Sequence, residues 1–157
     1  MILKDLSIFP YYKQTFVSSY TQEQILERLR EFTREEEKEE KPIIHEFNGK
    51  IDTNSFQISR VITQPNTFLP MIKGKIEGTK TGSILFITCE MFYSTKILLF
   101  IWTVIPLLIF LLTLLFVQGH FYSLLALFFG LFNYIVSVAN FHRQRKISMQ
   151  TLDKILS

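Results

Sequence analysis

The chain has a single cysteine, Cys89, so no disulfide can form within it. A reducing compartment is compatible with that usage. It has three histidines, His45, His120 and His142, and no two of them stand at metal-ligand spacing. No asparagine lies in an N-x-[ST] acceptor pattern. No arrangement of nucleophile, base and orienting acid emerges. Residues 78–83 (GTKTGS) have the composition of a phosphate loop but not the G-x-x-x-x-G-K-[ST] order. Cys89 sits in an apolar stretch with no histidine nearby in sequence and reads as core packing. The acidic run from Glu35 to Glu40 suits either a divalent cation or a solvated helix end, and the helix end is the simpler reading. The expectation is a protein that is not an enzyme, with no cofactor and no metal site.

Charge is missing from two long stretches. Residues 97–117 contain no formal charge, and 17 of these 21 residues are Leu, Ile, Phe or Val. Residues 121–139 are also uncharged, with 11 of 19 from that set. At a helical rise of about 1.5 Å per residue, each run matches the roughly 30 Å hydrocarbon core of a bilayer. Two such runs in tandem predict two transmembrane helices joined by a tight turn, Gln118-Gly119-His120. A signal peptide would lie at the other end of the chain. Ionisable residues inside the spans, usual in channels and transporters, are absent.

The cations that flank the spans set the expected orientation. Lys96 precedes the first span, and Arg143, Arg145 and Lys146 follow the second, while the turn has neither Lys nor Arg. The positive-inside rule then puts both termini in the cytoplasm, in a cell inner membrane, with this basic flank against lipid headgroups. Residues 1–95 hold 12 Lys and Arg against 13 Asp and Glu, and residues 96–157 hold 5 against 1. The net charge of +3 therefore belongs to the membrane flank and does not indicate nucleic-acid binding.

The fold class expected is an α+β membrane protein: a small antiparallel β-meander with one amphipathic helix, plus a transmembrane α-helical hairpin. A cytoplasmic domain over residues 1–95 opens with a short strand, Tyr11 to Ser18. Thr21 followed by Gln24 is a capping-box pattern. Ile25, Leu26, Leu29 and Phe32 supply an apolar stripe for a helix over 22–39 that stops before Pro42. Strands are expected at 45–51, 56–62, 69–77 and 84–93, separated by turn residues. The last strand leads almost directly into the first span, so the domain must sit close to the bilayer. Residues 140–157 read as a basic flank and a short amphipathic helix, either continuing the span or docking separately.

One pattern within the spans is specific. Ser123, Ala126, Gly130, Asn133, Ser137 and Asn140 are spaced 3, 4, 3, 4, 3, and each is small or polar. In lipid, helices associate through small residues and interhelical hydrogen bonds rather than by burying leucine. Thr103, Pro106, Phe110 and Thr113 offer a matching stripe on the first span. Folding the chain back at the turn pairs Thr103 with Asn133, Pro106 with Gly130, Phe110 with Ala126 and Thr113 with Ser123, each pair summing to 236. Pro106 leaves the Trp102 carbonyl without its helical donor, and the Asn133 amide lies near that depth. The stripe serves either this intrachain hairpin or self-association with further copies.

The motifs Phe47-x-Gly49-x-Ile51, Phe56-x-Ile58-x-Arg60-x-Ile62 and Asn66-x-Phe68-Leu69-Pro70-x-Ile72-x-Gly74-x-Ile76 resemble a pattern found in a family of small bacterial two-span membrane proteins. The resemblance covers roughly residues 45–117 and departs from it at Thr63-Gln64-Pro65. It implies a shared domain and a bacterial inner-membrane setting, and supplies no activity or substrate. Within the pattern, Gly49 and Gly74 suggest close approach of a backbone or a large ring. Arg60 interrupts an apolar alternation, and Phe68 precedes a strand. These two are the candidate contacts for a protein partner. The leading expectation is a membrane-anchored module that binds an unknown protein. The alternative is an accessory or self-associating subunit acting through its spans.

Overall fold

The computed structural model describes residues 9–34, 46–116 and 120–156. Six strands and three helices follow in the order β1 (Tyr11–Ser18), α1 (Gln22–Phe32), β2 (Thr33–Arg34), β3 (Phe47–Ile51), β4 (Ser55–Arg60), β5 (Pro70–Thr79), β6 (Gly82–Met91), α2 (Tyr93–Phe116) and α3 (His120–Leu156). The strands form one sheet in the order β1-β6-β5-β4-β3-β2. β3 to β6 are an antiparallel meander. The sheet goes beyond a meander at both edges: β1 pairs antiparallel with β6, and β2 pairs parallel with β3. The β1-α1-β2 crossover therefore carries α1 across one face of the whole sheet.

Local chemistry accounts for α1. The Thr21 hydroxyl accepts from the Gln24 backbone N–H, and the Gln24 side chain accepts from the Thr21 N–H, which closes the capping box. Ile25 and Leu29 are fully buried. The helix stops at Phe32, seven residues short of the expected Glu39. Thr33 turns extended and pairs with Phe47 of β3, and the Phe32 carbonyl accepts from the Glu46 N–H. Sheet pairing by a β-branched residue thus overrides local helix preference. The rest of the expected helix and the start of the 45–51 strand fall on residues 35–45, outside the described residues.

Within the sheet, alternate residues point to the helix face. Phe47, Ile58, Ile72, Leu85, Ile87 and Cys89 are all buried there. Each fully buried aliphatic or aromatic side chain contributes about 1.5–3 kcal/mol. Gly74 lies opposite Phe56, and a Cβ there would overlap the Phe56 ring. Gly49 has φ +153°, and a Cβ would overlap the β4 backbone at Gln57. One glycine thus admits a ring and the other a backbone, with β4 between their two strands.

α2 and α3 are long and apolar enough to cross a membrane. α3 does not stop after its apolar part. It runs unbroken for 37 residues, and its C-terminal half becomes the second helix on the sheet. Leu152 and Ile155 belong to the same core as α1 and the strands. Of the two readings for residues 140–157, the structure shows the continuation of the span helix, and that continuation itself docks on the sheet. No glycine or proline follows Gly130, so nothing interrupts the helical ladder. The core of the sheet domain, expected within 1–95, is thus completed by residues from the far end of the chain.

Candidate functional site

One face of α3 meets α2 first and the sheet second, and side chains from the strands, the loops and both helices converge where it changes partner. On the α2 side, the Ser123 hydroxyl donates to the Thr113 hydroxyl oxygen at 2.9 Å. The Thr113 hydroxyl in turn lies 2.8 Å from the Ile109 carbonyl. Gly130 stands against Pro106, where an added Cβ would come within 3.2 Å of the ring. Ser123, Gly130, Ser137 and Pro106 are buried, while Phe110, Ala126, Thr103 and Asn133 are half-buried. The Thr103 hydroxyl bonds back to the Leu99 carbonyl at 2.7 Å. The Asn133 amide has no hydrogen-bond partner among the described residues, so the bond expected to the Trp102 carbonyl is not made.

Below Ser137 the face changes character. Phe141, Met91 and Leu99 are buried together, with Phe9, Phe68 and Tyr134 packed around them. Phe68 is held there by its loop: its N–H donates to the Asn66 side-chain oxygen at 2.9 Å, and the Thr95 hydroxyl of α2 donates to the Thr67 carbonyl at 2.7 Å. Arg60 Nη2 donates to Gln144 Oε1 of α3 at 3.0 Å, and its Nε is buried without a partner. Arg60 and Phe68 therefore face the protein's own α2 and α3 at the junction.

The flanking cations divide into two pairs. Lys96 Nζ donates to Glu90 Oε2 at 2.8 Å, and Glu90 also pairs with Lys73 of β5. The Arg145 guanidinium stacks 4.0 Å over the Tyr12 ring of β1. Arg143 and Lys146 are exposed, with no ion-pair partner among the described residues. Burial pushes the Glu90 carboxyl up, but hydrogen bonds and charge from Lys73 and Lys96 outweigh it and hold it below the usual range. Burial lowers the His142 imidazole, and Arg145 adds to that.

Further from the hairpin, Cys89 Sγ lies 3.4 Å from Met149 Sδ. Burial pushes its thiol up to about 11, with Arg145 opposing slightly. A protonated, inaccessible thiol is a poor nucleophile. Arg28 of α1 donates to the Ile155 carbonyl at 3.3 Å, satisfying an end of α3 that favours positive charge. No group of three or more His, Cys, Asp or Glu is placed to hold a metal among the described residues.

The sequence pattern does not single out Gln144, Tyr12 or Phe141. A signal was there: from Ser137, a second run at spacings of 3 and 4 leaves the stripe that ends at Asn140 and goes on through Phe141, Gln144, Ser148, Leu152 and Ile155. Large apolar residues, Phe141, Leu152 and Ile155, enter the run there beside the polar Gln144 and Ser148, which hides the continuity. No family model, no curated protein and no solved structure matches the chain.

The second face of the sheet is open. Val17 is 83% and Phe86 43% exposed. The register sets Val17 beside Ile84 and Phe86 beside Thr15 and Lys75 on that face. Among the described residues no helix packs over it.

Proposed function

We propose that this is a membrane-anchored, non-catalytic module. Its α2–α3 hairpin crosses a bacterial inner membrane, and its sheet domain stands on the cytoplasmic side. The open face of the sheet, around Val17 and Phe86, docks a protein partner. Support for the membrane setting comes from exposure: only 11% of the apolar window of α2 and 17% of that of α3 is buried. A helix buried in a soluble core would show the reverse, and water would not tolerate this much exposed Leu, Ile and Phe. Support for the orientation comes from the unpaired Arg143 and Lys146 just beyond the span and the Lys- and Arg-free turn.

The single observation that carries the docking reading is the unbroken α3. It ties the domain core to the hairpin, so the open face is held in one pose relative to the membrane. A domain that only needed tethering could hang on a flexible linker.

In-membrane cross-linking followed by affinity capture tests the reading. Wild type, Phe86→Glu and Asn133→Leu chains are compared by mass spectrometry. A protein captured by wild type and Asn133→Leu but lost with Phe86→Glu is the expected result. Equal capture by all three rejects the open face as the docking surface. A reporter at Gly119 that is active in the cytosol rejects the orientation. Arg60 and Phe68 are poor probes here, because their substitution would disturb the junction itself.

A second reading, a self-associating or accessory subunit acting through α2 and α3, is favoured by one observation: the half-buried Asn133 amide without a partner.

A further inference from the structure

We infer that two copies of this chain pair within the bilayer, with Asn133 of each bonded to Asn133 of the other. This rests on the membrane reading given above and names the partner and the residue for its second form. One side of the hairpin is an apolar groove of about 1040 Å³, whose walls include Trp102, Ile105 and Pro106 of α2 and Tyr122, Ala126 and Phe129 of α3. Tyr122, Ala126, Phe129 and Asn133 follow one another at intervals of 4, 3 and 4, so Asn133 lies on the same side of α3, one turn beyond the last α3 residue that lines the groove. The antiparallel pairing places it near the depth of Trp102, which also lines the groove. Thr103, the nearest side-chain hydroxyl on α2 by that pairing, already donates to Leu99.

Hydrocarbon makes that amide informative. At a protein surface water would complete its hydrogen bonds, whereas lipid tails offer neither donor nor acceptor. An acyl chain can fill the groove but leaves the amide bare. A helix that brings an amide of its own satisfies both requirements. A side-chain amide carries donors and an acceptor, so it complements itself. A two-fold axis along the membrane normal brings identical residues to identical depth. A second copy is therefore the one partner guaranteed by symmetry to present an amide opposite Asn133.

The test uses the full-length chain, labelled at its N-terminal amine with donor or acceptor dye. It is reconstituted in phosphatidylethanolamine–phosphatidylglycerol vesicles over a range of protein-to-lipid ratios. Energy transfer should rise with that ratio as for a dimer. Asn133→Leu and Asn133→Ala should weaken pairing about 3- to 20-fold, the range expected for one interhelical hydrogen bond. Asn133→Gln, which keeps the amide, should retain most of it. The inference is overturned if wild type stays monomeric at every ratio. It is also overturned if Asn133→Leu pairs as wild type does, the amide then being satisfied on its own chain at the Trp102 carbonyl. Loss in Asn133→Gln as large as in Asn133→Leu overturns it too. A chain that does not float with the vesicles overturns the membrane reading and the pairing together. One that floats but gives no transfer overturns the pairing alone.

Discussion

The sheet domain and the α2–α3 hairpin are built on opposite rules although one helix serves both. In the domain, the residues removed from solvent are large and apolar: Ile25, Leu29, Phe47, Ile72 and Leu152. In the hairpin, the residues facing inward are Ser123, Gly130, Ser137 and Pro106, while Leu108, Leu131 and Phe132 point outward. The side chains of α3 change from the second rule to the first within a few residues, between Ser137 and Phe141. Burying leucine gains free energy only when the alternative is water. Where the alternative is hydrocarbon, close backbone approach and paired hydroxyls are what remain to hold two helices together. On the membrane reading proposed above, the place where the buried face of α3 changes character is where that helix leaves the hydrocarbon.

The largest expected effect separates the two halves directly. Leu152→Ala should lower unfolding free energy by about 2–5 kcal/mol, because it opens a cavity in the domain core. Leu131→Ala, on the outward face of α3, should cost no more than about 0.5 kcal/mol. Denaturant unfolding in detergent micelles, followed by circular dichroism, measures both, and equal costs would break the comparison. Next in size, Gly130→Leu should destabilise the hairpin by about 1–3 kcal/mol through overlap with Pro106. It should leave the Gly74–Phe56 packing in the domain unchanged, as read by amide hydrogen exchange. Smaller again is the junction. Arg60→Met and Gln144→Ala should show a coupling of about 1 kcal/mol in a double-mutant cycle, and additive costs would mean that the bond contributes nothing.

The smallest effect is a pH dependence. Glu90 is held below the usual carboxylate range by Lys73 and Lys96. The folded state therefore binds its proton less readily than the unfolded chain does. The stability this supplies is fully present above the unfolded carboxylate pKa of about 4.3 and is lost as pH falls through the lower folded value. It should amount to at most about 1 kcal/mol, since the pair is partly exposed. Glu90→Gln should flatten this acid limb of the stability curve without changing stability near pH 7 by more than that amount. An unchanged acid limb would show that the Lys73–Glu90–Lys96 group carries none of it.

Much of this was readable one segment at a time. The capping box at Thr21, the alternation in Phe56 and Ile58 and in Ile72, Gly74 and Ile76, and the pairing of Thr113 with Ser123 are each written in neighbouring residues or in a tight turn. What was not readable involves distant partners. Thr33 leaves helix because Phe47 is there to pair with it. Arg60 reads as an exposed or partner-facing cation until Gln144, 84 residues away, is set beside it. Asn133 was matched in depth to the Trp102 carbonyl, yet depth does not decide which way an amide turns.

The residues alone determined two runs long and apolar enough to span a bilayer, the small and polar seam between them, and the strands of the meander, because periodicity and side-chain chemistry act over a few residues and need no partner. Only the tertiary structure decided that β1 and β2 close the two edges of the sheet, and that the end of α3 returns to complete the core. Both depend on which distant surfaces match in shape, and a stretch such as 141–156 is equally compatible with ending in solvent until the sheet offers it an apolar face to cover.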